Sequence, residues 1–509
     1  MPTTTPITTS TRPPRLALAA LTLCTFAVHG YHPLAEDGGL YVAGVESSLN
    51  PVLFPNDLPF VRATTHYSLF TPVLATLVRL THIALPWLLL LADLTGIVLT
   101  LYAAWLIAAQ CWPSQRTQLL ATSLVAAWFT LPIAGTSLLL MDPYVTARTF
   151  STPLSLLAIA FALQLPTRRS LTRSAITLVA AAAFHPLMAA YAVGIIIALH
   201  IAKLPTHRAQ IRAYATLTTL VLAAAAFLHF TAPAESPATT AAAFSRYYWF
   251  LSQWQWFELL GIIGPLIVLT LLLRSTNPTT PQAALCRAAI AIGLIATLVS
   301  ALFAHEHFPT HLVARLQPLR QFLPIYAVMI ILLGGTLAEL TSRKLGVLAP
   351  AFVLVMAAIM FTVQRQTFPA SLHLELPHRA HANPWQQAFL WARENTPTNA
   401  LFAIDANYIT TANEDGQTFR ATAQRSVLPD FSKDGGEAAI QPALADAWQA
   451  GATTQLNLST LTDPARDARL LPLNATWVLL HSAAPTSHNC PYNNGTVKIC
   501  TLLQGANPN

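Results

Sequence analysis

The sequence predicts a mainly α-helical protein, a polytopic membrane helical bundle of about 11 spans with a small C-terminal extracytoplasmic α/β domain. Of the 509 residues, 54% are hydrophobic and only 10% are charged, whereas soluble domains carry about a quarter charged residues. Apolar segments recur as far as about residue 363, and the composition then becomes polar. We therefore expect a transmembrane domain over 1–364 and an extracytoplasmic domain over 365–509.

The net charge of +7 does not indicate a nucleic-acid partner, because no basic cluster alternates with aromatic residues. Near the N-terminus, Arg12 and Arg15 precede an apolar core, but HGYHPLAED after that core is a poor cleavage site. This favours an uncleaved first membrane helix over a removed signal peptide. The apolar segments lie near 15–31, 83–111, 118–140, 150–165, 174–202, 212–231, 257–273, 288–304, 322–340 and 346–363.

The connectors between these segments differ in charge, which predicts orientation. Positive residues concentrate on the cytoplasmic side, so the basic connectors mark the inside: Arg12/Arg15, Arg116, Arg168/Arg169/Arg173, Lys203/Arg208/Arg212, Arg274/Arg287 and Arg343/Lys344. The remaining connectors have fewer cations and carry the acids Glu36, Asp37, Glu46, Asp57, Asp142, Glu235 and Glu306. The N-terminus is thus predicted inside and the C-terminal domain outside.

Segment 174–202 lies between two basic connectors, which are both predicted on the cytoplasmic side. The chain must therefore cross toward the outside and return within this segment. Its roughly 29 residues span only about 43 Å as one helix, and His185-Pro186 near the middle would break a helix. We predict a hairpin of two short helices with FHPLM at its outer tip.

The first outer loop, 32–82, is long enough to indicate an ordered, functional segment. Its stretch HYSLFTPVLATLVRL is amphipathic and could lie along the membrane surface. The acids Glu36 and Asp37 stand beside Gly38-Gly39 and are the best catalytic candidates, since a loop carboxylate can act as a general base or hold a divalent metal. The alternative is an exposed pair of carboxylates near a helix start.

Cations at the outer ends of apolar segments are candidates for binding a phosphate. They are Arg148, which follows Asp142 by six residues, and Arg315 and Arg320. The alternatives are a salt bridge to Asp142 for Arg148, and interfacial anchoring of the long side chains. His185 is either functional at its membrane depth or bonded to a backbone carbonyl.

His305 and His307, near Glu306 and His311, indicate a metal site only weakly. Pro309 would interrupt any helix that could align these side chains as ligands. The aromatic stretch SRYYWFLSQWQWFELL (245–260) is typical of a membrane-interface belt and, alternatively, of a sugar or lipid contact.

The C-terminal region predicts a helix over NPWQQAFLWARENTP, capped by Asn383 and stopped at Pro397, and strands at ALFAID, TWVLLHS and TVKICTLL. Cys490 and Cys500 flank a predicted Asn-Gly turn, and in an oxidising compartment a disulfide across it is plausible, with two unpaired thiols as the alternative.

Taken together, the acidic first loop, the many apolar segments and the outer C-terminal domain resemble membrane glycosyltransferases of the GT-C architecture, which use polyprenyl-phosphate sugars. The stretches YVTARTFSTPLSLLAIAF, AAAFHPLMAAYAV, WARENTPTNALFAID and FRATAQRSVLPDF resemble an uncharacterised family of bacterial multi-pass membrane proteins related to these enzymes. The resemblance implies a bacterial cytoplasmic membrane with the C-terminal domain on its periplasmic side, and Asp37 as the loop carboxylate that serves as base or metal ligand. Arg148, Arg315 and Arg320 are expected to face the carrier phosphate because of their positions, without a motif match.

By that resemblance, the function is transfer of a sugar from a polyprenyl-phosphate carrier to an unknown acceptor at the outer face. Membrane lipid is a further expected partner, no cofactor is certain, and a divalent metal is possible. Two other functions stay open. A transporter or flippase of a lipid-linked or anionic substrate would use the same arginines without bond chemistry, although the sequence shows no repeated halves. A non-catalytic envelope scaffold would depend on residues 365–509 and not on Asp37.

Overall fold

The computed structural model describes residues 14–342, 346–379 and 381–502. Arg12, Arg343 and Lys344, which contributed to the predicted orientation, lie outside the described residues. The helices of the first region are α1 (Arg15–His29), α2 (Asp37–Leu49), α3 (Leu58–Val61), α4 (Phe70–Thr81), α5 (Leu85–Cys111), α6 (Gln115–Ala127), α7 (Arg148–Leu163), α8 (Arg168–Phe184), α9 (Pro186–Ala202), α10 (His207–Thr231), α11 (Pro237–Phe244), α12 (Trp256–Ser275), α13 (Pro281–Phe303), α14 (Leu312–Arg315), α15 (Phe322–Ser342) and α16 (Leu348–Thr367).

Six stretches of the described chain are helical, long and apolar enough to cross a membrane, and they involve α5, α10, α12, α13, α15 and α16. α5, α13 and α15 form much of the packed centre, whereas α10, α12 and α16 leave most of their apolar surface exposed, as lipid-facing helices do. Four shorter apolar helices, α1, α4, α7 and α9, accompany them. The fold is therefore a mainly helical membrane bundle, while eleven spans and an inside N-terminus stay predictions.

The predicted segment 118–140 is wrong as a continuous helix. α6 ends at Ala127, and the chain then turns back on itself, with Ile133 donating its N–H to the carbonyl of Leu138 and Leu140 to that of Leu131. Pro132 cannot donate a helical hydrogen bond, and Ala134 has a positive φ of 47°. Apolar character here reflects burial in a folded turn and not a span.

The break at His185-Pro186 is confirmed, because α8 ends at Phe184 and α9 begins at Pro186. The two helices pack against each other. α8 is longer than predicted, since it begins at Arg168 inside the basic connector, where the Thr167 side chain caps it. Each helix has 17 residues, or about 25 Å.

The first loop is ordered, as predicted, and largely helical: α2, α3 and α4 occupy much of 32–82. The Gly38-Gly39 pair has a packing role. A Cβ on Gly39 would lie 2.6 Å from Cβ of Thr418, and one on Gly38 would lie 2.6 Å from the carbonyl oxygen of Pro33. The glycines thus let the first turn of α2 approach both its own preceding turn and the C-terminal region.

The C-terminal domain begins at α17 and contains one five-stranded sheet in the order β2-β1-β3-β5-β4. β1 runs parallel to β2 and β3, and β5 runs antiparallel to β3 and β4. Its elements are α17 (Pro384–Asn395), α18 (Phe419–Ala423), α19 (Lys433–Ile440), α20 (Ala445–Thr454), α21 (Asp463–Leu470), β1 (Leu401–Ile404), β2 (Ser426–Val427), β3 (Trp477–His481), β4 (Tyr492–Asn493) and β5 (Val497–Thr501).

The predicted helix and three predicted strands of this domain are confirmed as α17, β1, β3 and β5. Asn383 caps α17, with its side-chain oxygen accepting from the N–H groups of Trp385 and Gln386. A disulfide joins Cys490 to Cys500. The short edge strands β2 and β4 carry too few residues for a periodicity signal.

The C-terminal domain is docked on the first loop through a buried ion triad. Arg420 on α18 donates from Nε to Asp57 of the first loop at 2.5 Å, and from Nη1 to Asp434 on α19 at 2.8 Å. Backbone hydrogen bonds also join Tyr31, just before the first loop, to His373 and Glu375 in the segment that leads into this domain. These contacts hold α19 against the start of α2.

Candidate functional site

Asp37 lies in the first turn of α2, where the helical bundle, the first loop and the C-terminal domain meet. Its Oδ2 accepts hydrogen bonds from both terminal nitrogens of Arg148 at 3.1 Å. Its Oδ1 lies 3.3 Å from Nζ of Lys433. The Asp37 side chain nevertheless keeps 33% of its surface exposed, so a ligand can reach a carboxylate that is already positioned by two cations.

Arg148 begins α7 and is divided between two carboxylates. Besides Asp37, its Nε donates to Asp142 at 3.0 Å and its Nη2 lies 2.9 Å from the same carboxylate. The Arg148 side chain is only 10% exposed. Because every guanidinium nitrogen is engaged, Arg148 positions Asp37 in this structure. Binding a phosphate directly, as the sequence predicts, would require it to release a carboxylate.

Lys433, at the start of α19, belongs to the same cluster of charges and is not among the candidates predicted from the sequence. It pairs with Glu36 as well as with Asp37. It is 396 residues from Asp37 in the sequence, and a lysine in a polar domain carries no signal of a partner so far away. Glu36 is 47% exposed at the side chain, so it contributes at the rim of the cluster.

Arg320 is the predicted cation that remains available. It precedes α15, its Nε donates to the carbonyl of Thr136 at 3.3 Å, and its guanidinium stacks 5.0 Å from the ring centre of Tyr248. Within the described part of the chain, its two terminal nitrogens have no hydrogen-bond partner. Its charge is close enough to lower the pKa of Asp37. A half-buried guanidinium with a free fork suits an oxygen-rich anion.

His185 also belongs to this cluster. Its Nδ1 accepts from the backbone N–H of Met188, which caps α9, and it interacts electrostatically with Arg148, Arg320 and Asp37. The backbone partner is therefore an N–H group and not the carbonyl of the sequence-based alternative. The helix break at Pro186 places it there.

Arg315, predicted as a phosphate-binding residue, instead contacts Glu235 and the C-terminal domain. Its Nη2 contacts Glu235 at 2.9 Å, and its Nε donates to the carbonyl of Ala439 at 2.7 Å. The same Glu235 accepts from the ring of His311. These contacts join the α14 region to the C-terminal domain, so Arg315 serves packing and not an open anion site.

The weakly indicated histidines do not converge either. His305 contacts the carbonyl of Ala301 at 2.6 Å, and His307 is exposed. Across residues 14–342, 346–379 and 381–502, no three His, Cys, Asp or Glu side chains form a group that could hold a metal ion.

The pKa values of two carboxyl groups, Asp37 and Glu437, are shifted in opposite directions. Burial acts to raise the pKa of Asp37, but Lys433, Arg148 and Arg320 outweigh it and hold that pKa well below its ordinary value. Glu437, one turn after Lys433 on α19, has its pKa raised to about 8 by burial and by the neighbouring charges of Asp37 and Asp434. Pairs of carboxyl groups whose environments separate their pKa values suit divided acid–base roles.

The arrangement therefore combines a carboxylate whose pKa is lowered, a carboxyl group whose pKa is raised to about 8, and a guanidinium whose terminal nitrogens have no partner among the described residues. They come from α2, α19 and the turn before α15, which no local motif links. Such a set can bind a phosphate, orient a hydroxyl group and accept its proton.

Comparison with known proteins gives limited matches. Residues 383–448 match a family described as a domain of unknown function (DUF6798). No curated protein matches the chain. One similar solved structure is the archaeal oligosaccharyltransferase AglB from Archaeoglobus fulgidus, in complex with an inhibitory peptide and a dolichol-phosphate. It shares 11% identity and a TM-score of 0.48, over 92% of this chain and 69% of that chain. A likeness at that level carries no argument about activity.

Proposed function

We propose that this protein is a membrane glycosyltransferase that moves a sugar from a polyprenyl-phosphate carrier to an acceptor hydroxyl. The observation that carries the proposal is the guanidinium of Arg320, whose terminal nitrogens have no hydrogen-bond partner among the described residues and whose charge helps to lower the pKa of Asp37. Transfer of a sugar from a phosphate needs a cation for the departing phosphate and a carboxylate near the reacting carbon. The resemblance of the sequence to GT-C transferases agrees with this chemistry.

In the proposed reaction, the acceptor oxygen bonds to the anomeric carbon while the bond from that carbon to the phosphate oxygen breaks. The polyprenyl phosphate leaves with both electrons of that bond, and its negative charge is paired with Arg320. The hydroxyl proton passes to the ionised form of Glu437. Asp37, whose pKa is low, is a poor proton acceptor and instead stabilises positive charge at the anomeric carbon and orients the hydroxyl.

Replacing Arg320 tests the phosphate site. We expect Arg320→Gln to reduce sugar transfer about a hundredfold, because one charge-assisted contact to the leaving phosphate is lost, and to weaken binding of polyprenyl phosphate itself. Arg62→Gln is the matched control, since Arg62 is exposed on the first loop. Equal transfer and equal phosphate binding by the two variants would remove Arg320 from the site. The assay is transfer of labelled sugar by the purified full chain in lipid vesicles.

The raised pKa of Glu437 predicts that the rate of the transfer step depends on pH. Because only its ionised form accepts a proton and its pKa is raised to about 8, the rate should rise between about pH 6 and pH 8 and level off above the pKa. Glu437→Gln should remove this rise and lower the plateau about a hundredfold. Asp446→Asn, at an exposed position of the same domain, should keep the wild-type profile. An unchanged profile in Glu437→Gln would show that another group accepts the proton.

A further inference from the structure

A cavity that Asp37, Arg148 and Lys433 do not line lies between α2 and the C-terminal domain. Its volume is about 430 Å³, and its walls come from α2, the start of α5, residues 372, 375–379, 381 and 382, α17 and α18. Cavities of this size are typical of small-molecule sites. Its three sides differ in chemistry, and this difference identifies the ligand.

One side of the cavity is apolar and adjoins the lipid-facing surface. Leu85 and Leu89 come from the start of α5, and Leu372 and Leu376 from the segment before α17. α5 is one of the helices long enough to cross a membrane. The nearby side chains of Leu80 and Trp87, which flank the start of α5, are exposed at 74% and 43%. Exposed apolar side chains at the end of a span are expected to contact lipid chains.

A second side carries buried oxygen atoms that lack partners. Glu46 accepts from Nε2 of Gln424 at 2.7 Å through one oxygen only. Its Oε2 and the hydroxyl of Thr422 are buried without a hydrogen-bond partner in the described part of the chain. Burial, opposed by Gln424 and Arg393, raises the pKa of Glu46 to about 8. Buried polar atoms are normally satisfied, so a ligand with hydrogen-bond donors would complete this wall.

The third side is cationic. Arg379 and Arg393 line the cavity, both are exposed, and neither guanidinium has a hydrogen-bond partner among the described residues. The neighbouring His378 and His381 are already engaged by Trp87 and Gln386. Two free guanidinium groups at the mouth of a cavity suit a phosphate.

We propose that this cavity binds the head group of a phospholipid that carries a primary ammonium group. The ammonium group donates to Glu46 and Thr422, and the phosphate lies between Arg379 and Arg393. The acyl chains leave along the leucine side toward the bilayer. Such a lipid carries an ammonium group, a phosphate and acyl chains, and these three groups match the acidic, cationic and apolar residues that line the cavity. This inference does not depend on the sugar-transfer proposal.

Methylation of the head group gives a matched pair of probes. Dioleoyl phosphatidylethanolamine has three N–H donors, whereas dioleoyl phosphatidylcholine has the same charge and chains but no N–H donor. The purified full chain would be incorporated into vesicles with equal amounts of the two lipids, extracted in mild detergent, and examined by native mass spectrometry for retained lipid. We expect the wild type to retain one ethanolamine lipid at about tenfold preference over the choline lipid, as one charge-assisted contact provides.

Glu46→Gln should abolish that preference, and Arg393→Gln should lower retention of both lipids. Glu394→Gln, at an exposed position next to Arg393 that does not line the cavity, should behave as wild type. Because Arg393 is exposed, its variant keeps the proposal testable if Glu46→Gln misfolds. Equal retention of the two lipids by the wild type would overturn the proposal. So would a preference that survives in Glu46→Gln, or displacement of the lipid by soluble O-phosphoethanolamine, which would identify a free head group as the ligand.

Discussion

An Asp37→Asn variant is expected to lose sugar transfer by about a hundredfold to a thousandfold, the effect of removing one preorganised electrostatic group from a reacting centre. The substitution keeps the shape of the side chain and removes only its charge. The neutral amide could no longer stabilise positive charge at the anomeric carbon. Loss of the carboxylate also leaves Arg148 and Lys433 less neutralised, so the cluster becomes more cationic and would hold the phosphate product more tightly.

The same variant should fold and insert normally, which makes the loss interpretable. Arg148 keeps Asp142 and Lys433 keeps Glu36 when the Asp37 charge is removed. Glu36→Gln is the matched control, because Glu36 is adjacent, more exposed and bonded to the same lysine. We expect it to retain transfer within about threefold, since exposed ion pairs contribute little. The measurement is the initial rate of transfer at equal protein abundance. Wild-type rates in Asp37→Asn would remove Asp37 from the mechanism.

The second large effect is on stability. Arg420→Met should destabilise the docking of the C-terminal domain by about 3–5 kcal/mol, because it leaves two buried carboxylates without their cation. The side chains of Arg420, Asp57 and Asp434 are 1%, 4% and 0% exposed. The expected readouts on the full chain are a lower unfolding temperature and faster proteolysis between α17 and α19. Sugar transfer should fall with it, since α19 carries Lys433 and Glu437.

A combined variant separates the buried charges from the packing. Asp57→Asn and Asp434→Asn, added to Arg420→Met, remove the unpaired charges and should recover much of the lost stability. Glu394→Gln, on an exposed face of the same domain, should leave the unfolding temperature unchanged. An Arg420→Met protein with the wild-type unfolding temperature would contradict a structural role for the triad.

Much of the helical architecture could be predicted from the long apolar runs. A chain in lipid must satisfy its backbone hydrogen bonds internally, and a helix does so within one segment. The break at His185-Pro186 was visible for the same reason, as proline removes a helical donor. The segment 118–140 shows the limit. Its apolar residues are buried by the protein itself, and hydropathy alone cannot distinguish that from burial in lipid. The residues that break it, Pro132 and the positive-φ Ala134, are single local features within an apolar run.

Residues of the candidate site could be predicted from the sequence only in segments where charged residues are scarce. Asp37 and Arg148 stand out against apolar surroundings, and the structure pairs them. Lys433 and Glu437 lie in a polar domain where charged residues are ordinary, so nothing in KDGGEAAI indicates a partner in the first loop. The close spacing of Arg315 and Arg320 in ARLQPLRQ makes them equivalent by sequence. Only their contacts distinguish them, because Glu235 neutralises Arg315.

The most direct test of the central claim is the chemical fate of a polyprenyl-phosphate sugar in the presence of the purified full chain. The protein in vesicles would be mixed in excess with donors whose sugar and phosphate carry different labels. We predict release of polyprenyl phosphate in amounts equal to the sugar transferred, with little or no release by Asp37→Asn. If the wild type leaves the bond between sugar and phosphate intact with every donor while moving the donor across the membrane, the protein is a transporter and the glycosyltransferase account is contradicted.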